Sequence, residues 1–181
     1  FGEFASPSRS VYPNVMLDPV NPIRFPTDFE AAKASIAKHG PVNLAIGLHS
    51  AAPSYGRIAD LMIAQLALIG VKATAYVLPS GAAYTLKDDP NPPESQAKVF
   101  FTKGGPLNFF GRVLPEADAI VDQAGRLTDV KERDALYERA GQMYFDAGIV
   151  IPLVDVNDVV VHAKGLKDLG LRPVYPPGNI D

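Results

Sequence analysis

The chain has 181 residues, with 17 Lys and Arg against 20 Asp and Glu and a formal net charge of -3. That balance gives no reason to expect nucleic acid or an anionic membrane surface as a partner. Cysteine is absent, which excludes disulfides and thiolate chemistry, and no apolar run is long enough to span a bilayer. The length suits one domain with a sizeable core. The chain opens on Phe1 with neither a methionine nor a signal-peptide pattern, as a mature or cut product would.

The 17 prolines cluster at both ends and around Asp89, which marks connecting segments there. Residues 1–26 carry Pro7, Pro13, Pro19, Pro22 and Pro26, show no period, and are expected to be an irregular lead-in. "TDFEAAKASIAKHG" predicts a helix capped by Thr27 with Glu30 three residues on, and stopped at Gly40. "VNLAIGL" (42–48) alternates as a strand. From Ser54, Ile58, Leu61, Met62, Leu66 and Ile69 fall at helical spacing, and Gly70 suits the left-handed position after a helix. "VKATAYVL" (71–78) is a second strand. Strand, helix and strand in this order predict a parallel crossover unit.

The middle of the chain is less regular. "SGAAYTLKDDPNPPES" reads as a loop with one helical turn, "SQAKVFF" as a short helix and "TKGGPLNFFGR" as a turn-rich loop. A helix starting near Pro115, a favoured first-turn residue, places Ala117, Ile120, Val121 and Ala124 on one face. Asp129 with Glu132 caps the next helix. That helix turns Leu136, Ala140, Met143, Tyr144 and Ala147 inward and Lys131, Glu132, Glu138 and Arg139 outward. Gly148 stops it. "IVIPLVDV" and "DVVVHA" then suggest two strands turning at Asn157-Asp158. The fold class is α/β, with one mixed sheet containing 42–48, 71–78 and 150–155, flanked by helices 54–69 and 129–147.

Motifs for catalysis are weak. His39, His49 and His162 do not stand at metal-ligand spacing, and His39 in the last turn of a helix suits the helix dipole. His49 and Ser50 lie at a strand end, where α/β sites gather. "GLHSA" lacks the second glycine of a nucleophile elbow. No phosphate loop or dinucleotide fingerprint is present. Asp88 and Asp89 precede Pro90, where aspartates serve turn geometry. No cofactor and no metal are expected.

One ordered series of motifs goes further. It runs Asn108-Phe109-Phe110-Gly111, Pro115-Glu116-Ala117-Asp118, Asp129 with Arg133, Leu136-Tyr137, Ala140, Gln142 and Ile151-Pro152-Leu153. This series resembles the C-terminal lobe of bacterial family 5 extracellular solute-binding proteins, the dipeptide, oligopeptide and nickel-binding components of ABC importers. "FEAAKASIAKHG" and "IADLMIAQLALIGVKATAYVL" resemble the upstream helix and the helix-strand pair of the same family. The resemblance covers roughly residues 20–165.

The resemblance implies a lobe of a periplasmic-binding-protein-like fold: 1–26 a lead-in from the other lobe, 27–165 the solute-binding lobe, and 166–181 a proline-rich tail returning toward the other lobe. It implies capture of short peptides or similar solutes in the periplasm or outside the cell, no enzymatic activity, and work with the missing N-terminal lobe and membrane ABC permease subunits. A lipid anchor on the full-length protein fits the same picture. Asp89 matches the aspartate that meets a ligand's amino terminus, through charge-assisted hydrogen bonds. The segment between Leu78 and Asp88 is shorter than in the family, and tryptophan is absent. The aromatic wall would then come from Tyr84, Phe101, Phe109 or Phe110, with core packing the alternative for at least one of Phe100 and Phe101. Asn108 bonds either the ligand or the turn, and Arg112 reads as a solvated loop residue. Two other readings stay open: a small hydrolase using His49, Ser50 and one of Asp88, Asp89 or Asp155, and a cut-down homologue acting as an interaction module.

Overall fold

The computed structural model describes residues 5–14, 16–25, 27–48, 54–78, 93–108, 113–156 and 161–167. Along them run β1 (Ala5–Pro7), α1 (Phe29–His39), β2 (Asn43–Leu48), α2 (Ser54–Leu68), β3 (Lys72–Val77), α3 (Pro93–Phe100), α4 (Pro115–Ala124), α5 (Val130–Asp146) and β4 (Val154–Val156). The chain divides into two compact units. One joins Phe1–Arg24 to Lys87–Asp181, and the other is the continuous stretch Phe25–Leu86.

In the continuous unit, α1 is capped one residue later than expected. Asp28, not Thr27, is the N-cap: its backbone is extended and its Oδ1 accepts the Ala31 N–H at 2.9 Å. A carboxylate there satisfies an orphan amide and also suits the positive end of the helix. Glu30 pairs with Lys33 at 2.9 Å. The expected crossover is present: β2 and β3 are parallel neighbours, with Asn43 opposite Lys72 through Leu48 opposite Val77.

The link from α2 to β3 is a Schellman cap. Gly70 has φ 84°, its N–H donates to Ala67 O at 3.1 Å, and the Val71 N–H donates to Leu66 O at 3.0 Å. Val71, just past the glycine, is buried. Ala59 is the buried residue of α2, with Ile58, Met62, Leu66 and Ile69 half-buried around it. Leu61 departs from the expected stripe and is 66% exposed. It follows Ala59 by two residues, which on a 3.6-residue turn is the opposite side of the helix. Ile46, Leu48 and Ala73 are the half-buried strand residues, and period-two alternation puts them on one face of the sheet. On the other face Tyr76 is exposed and its ring lies over Gly47, where a Cβ would sit 3.3 Å from the phenol oxygen.

The discontinuous unit holds the main core. Its buried residues are Val11, Tyr12, Leu17, Ala97, Phe101, Ala117, Val121, Ala124, Tyr137, Ala140, Tyr144 and Ile149. The segment expected to be an irregular lead-in thus supplies a strand and three core residues. Helix α4 starts at Pro115 as expected and buries Ala117, Val121 and Ala124 at helical spacing. In α5 the Asp129 cap is as expected, with Oδ1 accepting the Glu132 N–H at 2.9 Å. The deepest stripe is Tyr137, Ala140, Gly141 and Tyr144. Tyr137 and Gly141 were outside the expected face.

Helix α5 also ends in a Schellman cap: Gly148 has φ 65°, its N–H donates to Phe145 O at 2.9 Å, and the Ile149 N–H donates to Tyr144 O at 3.0 Å. The buried run expected after it is limited to Ile149, since Ile151 is 61% exposed and Leu153 is exposed too. β4 begins only at Val154 because Pro152 has no N–H to give a ladder. It pairs antiparallel with β1, Ala5 opposite Val156 and Pro7 opposite Val154, and not with β2 or β3. The expected single mixed sheet is therefore two two-stranded sheets, one parallel and one antiparallel, among the described residues. The Asn157-Asp158 turn lies outside the described residues, and 161–163 carry no strand.

Three glycine substitutions test this packing in opposite directions. A Cβ on Gly141 would lie 2.9 Å from Val11 Cγ2 and 3.0 Å from Tyr12 Cε2. Gly141→Ala should therefore destabilise by about 1–3 kcal/mol. Gly148→Ala should cost about 1–2 kcal/mol through its left-handed backbone. Gly56, inside α2, has open space at its Cβ position. Gly56→Ala should stabilise by about 0.5–1 kcal/mol. Urea midpoints read all three, and a neutral Gly141→Ala would refute the seat assigned to Tyr12.

Candidate functional site

The region to which the motifs point is the turn after α3. It is tied down almost residue by residue. The Phe101 and Thr102 N–H groups both donate to Ala97 O, at 2.9 and 3.0 Å, closing the helix. Thr102 Oγ1 donates to Lys98 O at 3.1 Å, and the Leu107 N–H donates back to Val99 O at 3.0 Å. Gly104 takes φ 79°. Gly105 passes so close to the end of α3 that a Cβ would lie 2.6 Å from Lys98 O and 2.7 Å from Val99 O. Asn108 closes the turn: its Nδ2 donates to Phe101 O and Thr102 O, both at 3.0 Å. Of the two roles open to Asn108 in the sequence, the structure displays the turn-holding one.

Asp118 anchors this turn to the helices. Its Oδ2 accepts the Lys103 N–H at 2.9 Å and its Oδ1 accepts the Tyr144 hydroxyl at 3.1 Å. One carboxylate thereby joins the turn, α4 and α5. Burial first, and then the charge of Asp118, push the Tyr144 phenol well up from its ordinary value, so it stays a donor.

A second polar cluster lies where α3, α4 and α5 meet. Lys98 Nζ reaches Glu94 Oε1 at 2.6 Å and Asp122 Oδ1 at 3.5 Å, and the bond to Glu94 is the main reason the Lys98 ammonium is held above its ordinary value. The Glu94 carboxylate packs where a Cβ on Gly125 would stand. Tyr137, fully buried, is pushed up to about 12 by burial and then by Glu94. These groups clamp helix to helix.

Of the expected ligand residues, Phe101 is 4% exposed and packs tilted on Tyr144, with ring centroids 5.0 Å apart, and edge-on to Tyr12 at 6.4 Å. It is a core residue; the packing alternative holds for it. Asp89, Tyr84, Phe109 and Phe110 lie outside the described residues, as do His49, Ser50, Asp88 and Arg112. Asp155 lies on β4, where burial first raises its carboxyl above the ordinary carboxylate range and the Ser8 side chain and Asn14 backbone partly offset that. Among the described residues no group of three or more His, Asp or Glu stands where it could hold a metal ion. Likewise no helix among them is long and apolar enough to cross a membrane. Sequence reasoning had Asp118 only as a motif letter. Its position at the first turn of a helix, facing a glycine-rich turn, is the signal that marks it as an anchor.

No family model matches the chain, and no curated protein sequence matches it. Solved structures do. NikA from Staphylococcus aureus, solved with Ni(L-His)2, superposes with a TM-score of 0.71 at 17% identity over 84% of this chain and 37% of its own. The ABC transporter-associated periplasmic binding protein DppA from Helicobacter pylori, in complex with the peptide STSA, gives 0.69 at 21% identity over 84% and 34%. The ABC transporter substrate-binding protein CtaP from Listeria monocytogenes gives 0.69 at 18% identity over 85% and 35%. The shared feature is the fold, and the chain spans about a third of the length of these structures. They are solute-binding proteins of the group that the motif series resembles.

The anchoring role of Asp118 is testable. Asp118→Ala removes the acceptor of two bonds, one from a buried phenol, and should cost about 1–3 kcal/mol. Tyr144→Phe should cost less, because the Lys103 amide keeps its acceptor. Equal losses in chemical denaturation would show that the amide bond to the turn carries nothing. Gly105→Ala should be the more damaging of the turn substitutions, because both of its clashes are with backbone.

Proposed function

We propose that this chain is the C-terminal-lobe portion of a bacterial extracellular solute-binding protein of family 5, which captures a short peptide or similar small solute for an ABC importer. The observation that carries the proposal is that two independent lines meet. The ordered motif series resembles this family, and the fold is that of solute-binding proteins solved with a peptide and with a nickel-histidine complex. The structure also gives several motif residues a physical reason. Asp118 and Asn108 hold the turn, and Tyr137 and Ala140 lie in the core.

In this reading most of the motif is scaffold, and ligand contact falls to Asp89, Tyr84, Phe109 and Phe110 beside Asn108. Asp89 meets a cationic group of the solute. A carboxylate in a cleft closed by a second lobe gains more from such a partner than one at an open surface. The protein works in the periplasm or outside the cell, with the remaining lobe and with permease subunits in the membrane. It is a binder, not a catalyst.

Calorimetry with a small peptide panel on the full-length protein tests this. Asp89→Asn should weaken peptides with a free amino terminus by roughly 1–3 kcal/mol, the range for a charged hydrogen-bond partner, and leave amino-blocked peptides hardly changed. Equal loss for both kinds, or none for either, would reduce Asp89 to a turn residue. A hydrolytic rate abolished by Ser50→Ala or His49→Ala would replace the binding reading with an enzymatic one.

A further inference from the structure

Residues 9–14 and 16–23 belong to a loop whose two ends are bonded to each other. The Ile23 N–H donates to Arg9 O at 2.8 Å. The Arg9 side chain closes the same loop a second time: Nη1 donates to Asp18 Oδ1 at 2.5 Å and Nη2 to Pro19 O at 3.3 Å. Inside the loop, the Tyr12 N–H donates to Ser10 Oγ at 3.2 Å, and the Met16 and Leu17 N–H groups donate to Pro13 O at 2.8 and 3.2 Å. Ser10, Val11, Tyr12 and Leu17 are buried. A compact loop with its ends together and its own side chains turned inward opens as one body rather than fraying from an end.

Two kinds of contact dock this body on α5. Val11 and Tyr12 lie against Gly141, and the Asn21 N–H donates to Glu138 Oε1. The Tyr12 hydroxyl, though buried, has no hydrogen-bond partner among the described residues. A buried hydroxyl without a partner offsets part of what its ring gains by packing. The helices do not need the loop to stay together, because α3, α4 and α5 contact one another directly. The chain is fixed again just before the loop, where the Ser8 N–H donates to Leu153 O at 3.3 Å.

We propose that this loop is a strap with Arg9 as its clasp, and that it lifts from α5 as one unit while α3, α4 and α5 stay folded. An exposed ion pair contributes little by itself. The clasp acts because one residue holds three others, Ile23 through its backbone oxygen and Asp18 and Pro19 through its guanidinium. Closed, Arg9 and Ile23 stand one hydrogen bond apart. Released, the chain between them can span about 50 Å. The strap therefore stores slack just before the continuous unit begins at Phe25. Lifting it also bares Gly141 and the ring of Tyr137, which Tyr12 meets at 6.3 Å. This motion belongs to the chain itself and does not depend on the solute.

Native-state hydrogen exchange of the full chain, followed by NMR in low urea, tests the strap. The Met16, Asn21 and Ile23 amides, bonded to Pro13, Glu138 and Arg9, should exchange through one shared opening with one urea dependence. The α5 amides of Ala140 and Tyr144 should require a larger opening. Arg9→Ala should speed exchange of the three strap amides by about tenfold, the scale of one charged hydrogen bond, and leave α5 unchanged. Asp18→Asn should act in the same direction and more weakly, because Pro19 O still holds the guanidinium. Strap amides that open only together with α5 would overturn the proposal, by making the segment an inseparable part of the core. Three strap amides with three different urea dependences would overturn it as well. So would wild-type rates in Arg9→Ala or, where that variant does not fold, in Asp18→Asn.

Discussion

The discontinuous unit depends on a close approach at Gly141. Val11 and Tyr12 lie against the backbone of α5 at the one position of its buried stripe where no side chain stands between. From that seat Tyr12 meets Tyr137 at 6.3 Å and Phe101 at 6.4 Å, both edge-on. Phe101 in turn meets Tyr144. Edge-to-face aromatic pairs fix orientation as well as area. The rings thus bring α3, α5 and the early segment into one arrangement. A larger residue at 141 would lift Tyr12 off its neighbours and open the core from its centre.

Around that centre the polar bonds work at the margins of the helices. Asp118 reaches the turn after α3 and the hydroxyl of Tyr144, while Lys98 bridges Glu94 and Asp122. The Lys98 pairs are partly solvated and set geometry more than energy. The continuous unit is built more sparely. Among the described residues Ala59 and Val71 are its buried apolar ones, while Leu44, Leu61, Leu68, Tyr76 and Val77 are exposed. Its order comes from the parallel ladder and from the cap at Gly70.

What the sequence displayed was local. Asp129 as a cap, Gly70 and Gly148 as helix stops, Pro115 as a first turn and the parallel crossover all follow from neighbours a few residues apart, and all are present. What it hid was long-range. Nothing in "SVYPN" announces that Tyr12 inserts beside Gly141, because the partner lies far along the chain. Pairing of β1 with β4 is hidden for the same reason, since a three-residue strand has no visible period. Gly141 and Tyr137 were missed because a glycine reads as neutral and a tyrosine as amphipathic until a ring is placed against them. At the candidate site, Asn108 and Phe101 were legible as two-way choices, and the turn bonds of the one and the ring contacts of the other depend on partners that the local sequence does not show. Ligand chemistry is not legible in a stretch that spans about a third of its structural relatives.

The division of the chain has a polymer consequence. Along the sequence, Phe25–Leu86 separates the two segments of the other unit, which break at Arg24 and resume at Lys87. To the outer unit this stretch is a loop, and the entropy of closing a loop grows only with the logarithm of its length. Each doubling costs about 0.6 kcal/mol. Residues can therefore be added to or removed from the junctions near 24 and 87 with little effect on the core around Tyr12. Length variation at such seams is the kind of change that drift can accumulate without selection on folding to oppose it.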